Sequence, residues 1–284
     1  MEIDAKTKLI GLIGHPIEHS MSPLMQNTAL REKNLNYVYL AFNVLPEKLK
    51  YVIDGFKSVR CVGFNITIPH KVNIINYLDE IDEDAKLIGA VNTVKINNNV
   101  AIGYNTDGIG AEKSLEEYIG PVKNKNILII GAGGASRAIS FQLSKNNDIT
   151  IINRTVEKAQ FLAEEIYNKI GKSVKFGGLN INTEGYDIVI NTTSLGMYPN
   201  VNTIPPIDLS NINEDTVVMD IVYNPLETKF LKECKKRGAK VINGIGMLVY
   251  QGAESFKIWT SVEPNVDLMK KVIINELKNR EKVF

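Results

Sequence analysis

Cysteine is scarce in this chain. Its 284 residues include two, Cys61 and Cys234, too far apart in sequence to suggest a disulfide framework or the paired spacing of a zinc site. Histidine numbers three. His15 and His19 share a loop, but no third ligand is spaced to join them, so no metal is expected. An excess of one charge sign is also lacking: the formal net charge is +1, which gives nucleic acid or a membrane surface little to attract. No apolar run approaches the roughly 20 residues that span a bilayer. The start, Met1-Glu2-Ile3-Asp4-Ala5-Lys6, lacks the basic-then-apolar order of a signal peptide, so a cytoplasmic protein is expected. No internal repeat is visible. What remains, 44% hydrophobic and 23% charged residues, is ordinary globular composition on a chain long enough for two domains.

The richest stretch runs from Asn126 to Lys158. Asn126-Ile127-Leu128-Ile129-Ile130 is a short β-branched run of the kind that fills a buried parallel strand. It breaks into Gly131-Ala132-Gly133-Gly134-Ala135-Ser136, and a helix is expected over Arg137–Lys145. Strand, glycine turn and helix form a dinucleotide fingerprint: the glycines permit a tight turn and a close pyrophosphate, and the helix N-terminus offers free N–H groups. Ser136 stands where a third Gly or Ala is usual, a mild departure. An ordinary tight turn is the alternative.

The next strand, Asp148 to Ile152, bears on which dinucleotide. It ends in Asn153-Arg154-Thr155, about 20 residues beyond the first glycine, where an acid would hold the 2′-hydroxyl of NAD. No acid is there. Arg154 offers a planar guanidinium suited to a phosphate, Thr155 a hydroxyl, and Lys158 a second cation one helical turn on. The alternative is a solvated basic helix start; the expected cofactor is NADP.

Towards the N-terminus, Lys8–Ile13 reads as a buried strand leading into the polar loop Gly14–Pro23. Pro23 suits the first turn of a helix reaching Glu32, with Ser22 as its cap. Ser20 and Ser22 either cap and turn, or together hold a carboxylate. Tyr37–Val44 is a second strand, Lys48–Ser58 a helix and Cys61–Ile66 a third strand, ending in Thr67-Ile68-Pro69-His70-Lys71. An α/β sheet gathers ligands beyond the carboxyl ends of its strands, which groups Asn65, Thr67 and Lys71 near a pocket. Lys71, fixed behind a proline, suits proton exchange. His70 competes for that role, since histidine as a residue type exchanges protons nearer neutrality than lysine does.

Further along, Asp79–Asp84 is an acidic helix start, and Asn97-Asn98-Asn99 a hairpin turn returning through Val100–Gly103. Asn105-Thr106-Asp107 leads into a helix reaching Tyr118, with Asp107 as a cap and Asn92 as a turn residue when each is taken singly. Val156–Ile170 repeats Ala159, Leu162, Ala163 and Ile166 at helical spacing. Val174–Phe176, Ile188–Ile190 and Val217–Met219 read as short buried strands, and Met247–Trp259 and Val266–Asn279 as closing helices. Thr192–Gly196 follows a strand end and either turns or covers the cofactor.

Taken together these segments resemble the shikimate dehydrogenase family. The likeness rests on Ser20-Met21-Ser22-Pro23, Asn65-Ile66-Thr67-Ile68-Pro69-His70-Lys71, Gly89-Ala90-Val91-Asn92-Thr93 and Asn105-Thr106-Asp107. It continues through Gly131–Arg137, Asn153-Arg154-Thr155, Asn191–Met197, Asp220-Ile221-Val222-Tyr223-Asn224-Pro225 and Asn243–Gln251, in the family's order along nearly the whole chain. One departure is Gln26, where the family's run has histidine.

The resemblance implies reversible oxidation of shikimate to 3-dehydroshikimate with NADP carrying the hydride, a step of chorismate and aromatic amino acid biosynthesis. It implies a two-domain α/β fold: an α/β substrate-binding and catalytic domain over 1–106 and 246–284, and a Rossmann-like NADP-binding domain over 107–245. The active site would be the cleft between them. By motif, Lys71 and Asp107 form the catalytic pair, with Lys71 exchanging the proton and Asp107 orienting the substrate. Ser20 and Ser22 hold the substrate carboxylate. Thr67, Asn92 and Gln251 meet its ring hydroxyls, and Asn65 and Tyr223 complete the pocket. Cofactor contacts fall on Gly131, Ala132, Gly133, Gly134, Ala135, Asn153, Arg154, Thr155, Lys158, Thr192 and Ser194. Ile221 and Gly244 resemble the nicotinamide contacts, with Glu83 a weaker match. No nucleic-acid or membrane partner is expected, and the chain would act as a monomer or homodimer. Two other readings stay open: an NAD-preferring quinate/shikimate dehydrogenase, and a nucleotide-binding regulator that keeps the fold without turnover.

Overall fold

The computed structural model describes residues 2–281; Met1 and residues 282–284, the end of the expected C-terminal segment, lie outside the described residues. The chain divides into two compact units. One holds the residues up to Thr106 together with Gln251–Lys278, the other Asp107–Tyr250 and the residues from Asn279 on.

In the first unit, strands β1 (Lys8–Gly14), β2 (Tyr37–Asn43), β3 (Gly63–Ile66), β4 (Glu80–Ile81), β5 (Thr93–Asn97) and β6 (Val100–Tyr104) form one mixed sheet. Its order is β2-β1-β3-β5-β6-β4. β1 is central and parallel to both neighbours, with Ile10 opposite Tyr39 on one side and Gly63 on the other, which explains its unbroken burial from Ile10 onward. β5 and β6 form the expected hairpin. Asn98 and Asn99 turn it with φ of 48° and 66°, the left-handed region that asparagine tolerates.

The helices of this unit are α1 (Ser22–Glu32), α2 (Leu49–Ser58) and α3 (Glu83–Ile88). Ser22 is not the cap of α1. Met21 takes that position without a side-chain bond, and Ser22 is the first helical residue, because Pro23 already sits in the first turn, where its missing N–H costs nothing. α2 buries Leu49, Ile53 and Phe56 at helical spacing. They join Phe64, Val94 and Ala101 in the core on one face of the sheet, where the Phe56 ring lies 5.0 Å from that of Phe64.

The second unit opens with α4 (Asp107–Ile119) and continues β7 (Asn126–Ile130), α5 (Gly134–Ser144), β8 (Asp148–Ile152), α6 (Val156–Ile170) and β9 (Lys175–Gly177). After it come β10 (Ile188–Asn191), β11 (Val217–Asp220), α7 (Lys229–Lys235) and β12 (Lys240–Ile242). Asp107 is thus the first residue of its helix. The sheet order is β12-β11-β10-β7-β8-β9, parallel throughout. This is the doubly wound Rossmann order, in which the topology reverses between β7 and β10.

The expected helix after the glycine turn starts three residues early, at Gly134. β9 is not the buried strand expected: it pairs only with β8, and as an edge strand leaves Phe176 45% exposed. α7 and β12 are too short to show a period in the sequence. The chain closes with α8 (Ile245–Thr260) and α9 (Val266–Glu281). α8 buries Val249, Ala253 and Phe256, and α9 Met269, Ile273 and Leu277. No described helix is long and apolar enough to cross a membrane.

Candidate functional site

The glycine turn after β7 lies at the crevice where the second unit's strand order reverses. Gly131 has φ of 114°, and a Cβ there would lie 2.6 Å from the Thr192 hydroxyl. Only glycine fits on both counts. The Thr192 hydroxyl donates to the Ile130 carbonyl at 2.7 Å, so the ends of β7 and β10 are tied at this point. Ser136, the departure from the usual small residue, is fully buried and donates to the Gly131 carbonyl at 2.6 Å. Its hydroxyl closes the turn. Beside Gly133 there is open space for more than 4 Å around a Cβ position. Nothing in the protein requires that side chain to be absent, and the open space at the N-terminus of α5 has room for a pyrophosphate. Ala132, Gly134 and Ala135 are half-buried around the same turn.

The basic cluster follows β8. The Asn153 amide donates to the Thr155 carbonyl at 2.9 Å, shaping the loop from within. Thr155 occupies the cap position of α6 without using its hydroxyl for capping. Arg154 and Lys158 are exposed, and neither has an ion-pair partner among the described residues. Arg137, in the first turn of α5, differs: it is ion-paired with Glu165 of α6. These exposed cations suit a phosphate, and the residues present fit NADP.

Beyond β10 and β11 the remaining expected cofactor residues lie on two loops. Thr192 and Ser194 follow Asn191, with Ser194 exposed. Ile221 and Tyr223 follow Asp220. Gly244 donates its N–H to the Val222 carbonyl at 3.1 Å, and any side chain there would run into the Ile221 carbonyl. The two proposed nicotinamide contacts are thus packed against each other. Burial raises the pKa of the Tyr223 phenol, opposed by the charge of Arg280, so Tyr223 remains a neutral hydroxyl at physiological pH.

In the first unit a buried polar cluster gathers three of the expected substrate residues. Asn65 accepts from the Tyr39 phenol at 2.8 Å and donates to the Asn92 carbonyl and to the Thr93 and Ser255 hydroxyls at 3.0 Å each. The Asn92 side chain donates to Thr106 at 2.9 Å and to Gln251 at 3.4 Å, and its oxygen accepts from Thr93 and from the Thr106 N–H at 2.9 Å. Ser255, one turn after Gln251 on α8, donates to the Gln251 carbonyl at 3.0 Å. Asn65, Asn92 and Gln251 come together here although up to 186 positions separate them. Tyr39, Thr93, Thr106 and Ser255 were not anticipated. Burial pushes the Tyr39 phenol far up, with the Ser22 hydroxyl beside it pulling the other way; it serves as a permanent donor.

Ser22 also donates its N–H to the Ser20 hydroxyl at 3.3 Å, which keeps the two serines adjacent. Thr67 continues the β3 ladder with its N–H on the Ile13 carbonyl at 2.9 Å. Its own hydroxyl has no partner among the described residues. His70 is 1% exposed, and its Nε2–H donates to the Val44 carbonyl at 2.7 Å. That engagement removes it as a competitor of Lys71, which is half-exposed and accepts the Val91 N–H on its carbonyl at 2.8 Å. Lys71 belongs to the first unit, while Asp107, 4% exposed, opens the second. Glu83 is exposed at the start of α3. The two cysteines are buried, and burial pushes their thiols up to about 11 for Cys61 and about 12 for Cys234, so neither is a nucleophile near neutral pH.

Three family models match. The shikimate dehydrogenase substrate binding domain covers residues 12–94, the shikimate / quinate 5-dehydrogenase domain 113–221, and the shikimate 5'-dehydrogenase C-terminal domain 244–274. Among curated proteins, the chain is 62% identical over 279 residues to a shikimate dehydrogenase (NADP(+)) of Methanocaldococcus jannaschii, covering 97% of this chain and 99% of that one. It is 63% identical over 277 residues to the enzyme of the same name from Methanococcus aeolicus, covering 97% and 100%. A crystal structure of a shikimate dehydrogenase in complex with NADP+ superposes with a TM-score of 0.96 at 62% identity, covering 97% of this chain and 98% of the other.

Proposed function

The chain belongs to the shikimate dehydrogenase family, and on that premise we propose that it interconverts shikimate and 3-dehydroshikimate with NADP. It is an oxidoreductase acting on a CH–OH group, in the pathway to chorismate and the aromatic amino acids. One observation carries the cofactor reading. The segment after β8 offers Arg154 and Lys158, exposed and without an ion-pair partner among the described residues, where an NAD site would place an acid, and the glycine turn is left open at Gly133.

Bound NADP⁺ supplies the hydride acceptor. Lys71 takes the proton from the reacting hydroxyl as its carbon loses hydride, and returns it to the carbonyl oxygen in the reductive direction. Asp107 orients that hydroxyl. Ser20 and Ser22 hold the carboxylate through hydroxyl donors, and Thr67, Asn92 and Gln251 meet the ring hydroxyls. Tyr223 adds a neutral phenol to the pocket, which Asn65 shapes through its buried bonds. Gly131 to Ala135 and the N-terminus of α5 take the pyrophosphate. Asn153, Arg154, Thr155 and Lys158 take the 2′-phosphate end; Thr192, Ser194, Ile221 and Gly244 flank the nicotinamide end, with Glu83 an outer contact. The substrate domain comprises 1–106 and 246–284 and the NADP domain 107–245. The enzyme works in the cytoplasm as a monomer or homodimer on small molecules alone.

The test is steady-state cofactor reduction by the purified protein, crossing shikimate and quinate with NADP⁺ and NAD⁺. Fast turnover confined to shikimate with NADP⁺ is expected. Comparable rates with quinate or NAD⁺ would move the chain to a broader quinate/shikimate dehydrogenase. Nucleotide binding without turnover would make it a regulator on the same fold.

A further inference from the structure

Among its described residues the second unit contains one buried acid with no part in the chemistry above. Asp220 ends β11 with no exposed surface, directly opposite Asn191 at the end of β10. Its Oδ1 accepts from the Asn191 side-chain amide and from the Val222 N–H, both at 3.0 Å, and its Oδ2 from the Thr228 hydroxyl at 2.7 Å. Each donor belongs to a different piece of backbone.

We propose that Asp220 is a positioning residue for the cofactor, setting the loops that follow β10 and β11 and, through them, Thr192, Ser194, Ile221 and Gly244. The proposal rests on the NADP reading given above. With its amide held by Asp220, Asn191 accepts the Thr193 N–H at 3.1 Å and the Thr193 hydroxyl at 2.7 Å on its side-chain oxygen. Thr193 in turn accepts the Leu195 N–H at 3.2 Å. The first loop is thereby folded from Asp220 outward. On the second, the carboxylate fixes Val222, whose carbonyl receives the Gly244 N–H, while the Ile221 N–H returns to the Asn191 carbonyl at 3.1 Å. The loop's far end is fixed by Thr228, which also caps α7 by accepting the Leu231 N–H at 3.3 Å.

A carboxylate is the one side chain that accepts at both oxygens and donates at neither, so it alone satisfies three convergent donors. Burying it is costly; burial pushes its pKa up to about 6 against the pull of Thr228, Val222 and Asn191. An apolar residue of similar size would often serve stability equally well. The geometry imposed on two cofactor loops accounts for an acid at this position.

The experiment compares wild type with Asp220→Ala and Thr228→Val, the latter removing the bond to Asp220 together with the α7 cap while keeping shape and charge. Three quantities are read: NADPH affinity by fluorescence titration, amide hydrogen exchange of the nucleotide-free protein, and KM for NADP⁺ and shikimate. In Asp220→Ala, NADPH affinity and KM for NADP⁺ are expected to worsen about tenfold or more, since charge-assisted bonds are lost. The shikimate KM should stay within about twofold. Exchange should rise in residues 192–197 and 221–228 ahead of the rest of the sheet. Thr228→Val should reproduce the effect in 221–228 with a smaller loss of affinity. Unchanged NADPH affinity in both variants, or faster exchange spread evenly over the unit, overturns the positioning role and leaves the proposed function intact. A wild-type protein that binds NADPH but does not oxidise shikimate overturns the function instead, with the binding and exchange data still deciding on Asp220.

Discussion

The side-chain amide of Gln26, in α1, donates to the carbonyl of Gly252, in α8, at 2.9 Å. Gln26, a departure in the sequence resemblance, is 1% exposed. Its amide joins two helices that carry proposed substrate residues, Ser22 and Gln251. Its Oε1 is among the buried side-chain atoms without a partner. Gln26→Ala removes the bond and opens a cavity, and should cost about 2 kcal/mol in urea unfolding. Gln26→Met keeps the volume and also removes the unpartnered oxygen, so its cost should stay within about 1 kcal/mol. Equal losses in the two variants would mean that packing volume is irrelevant at this site.

The catalytic assignment predicts a loss confined to the chemical step. Lys71→Ala removes the proton-exchanging group and should lower kcat by about 100-fold or more. Asp107→Asn is nearly isosteric at a buried position and should lower kcat comparably without unfolding the protein. NADPH affinity, read by fluorescence, should be retained in both. Normal turnover in the two variants would remove the pair from the mechanism.

The two-sheet architecture was legible wherever a pattern is local. The run Ile127 to Ile130 followed by Gly131 declares strand and turn within a few residues, and Ala159, Leu162, Ala163 and Ile166 declare a helix by spacing. α7 and β12, at seven and three residues, span fewer than two repeats of the signal that would announce them. Phe176 looked like core because an apolar side chain does not reveal whether its strand has one neighbour or two. The polar clusters were beyond reach for another reason. Ser255 meets Asn65 across 190 positions, and Thr228 meets Asp220 only through a turn. Such bonds are properties of the topology, with no trace in local composition. A serine one helical turn beyond Gln251 was the only sign available.

Asp220 also makes stability depend on pH. Its carboxyl is raised by burial from 3.8 to about 6, so the folded protein binds a proton more tightly than the unfolded chain does. That contribution is fully present below pH 3.8 and is lost as pH rises through about 6. Asp220→Asn cannot titrate. The stability difference between wild type and this variant should therefore move against wild type between pH 4 and pH 7, by on the order of 2–3 kcal/mol. Other acids titrate too; backbone and side-chain hydrogen bonds hold Asp79 and Asp208 low. They are common to both proteins and cancel in the difference. Parallel stability curves for the two proteins over that range would show that Asp220 remains ionised throughout.

Cofactor choice should respond to Arg154 more than to any other side chain of the phosphate end. Its guanidinium is exposed, lacks an ion-pair partner among the described residues and follows β8, whose loop is the proposed ribose contact. Removing a hydrogen bond to a charged group costs about 1.5–3 kcal/mol, so Arg154→Ala should raise KM for NADP⁺ roughly tenfold to a hundredfold. KM for NAD⁺, which has no 2′-phosphate, should barely change. Lys158 is a flexible point charge without the planar fork, and Lys158→Ala should shift the same ratio by less. High salt should narrow the wild-type preference, since both cations are solvent-exposed and screened. An unchanged NADP⁺/NAD⁺ ratio in Arg154→Ala would place recognition of the phosphate elsewhere, with Thr155 and the N-terminus of α6 next to be tested.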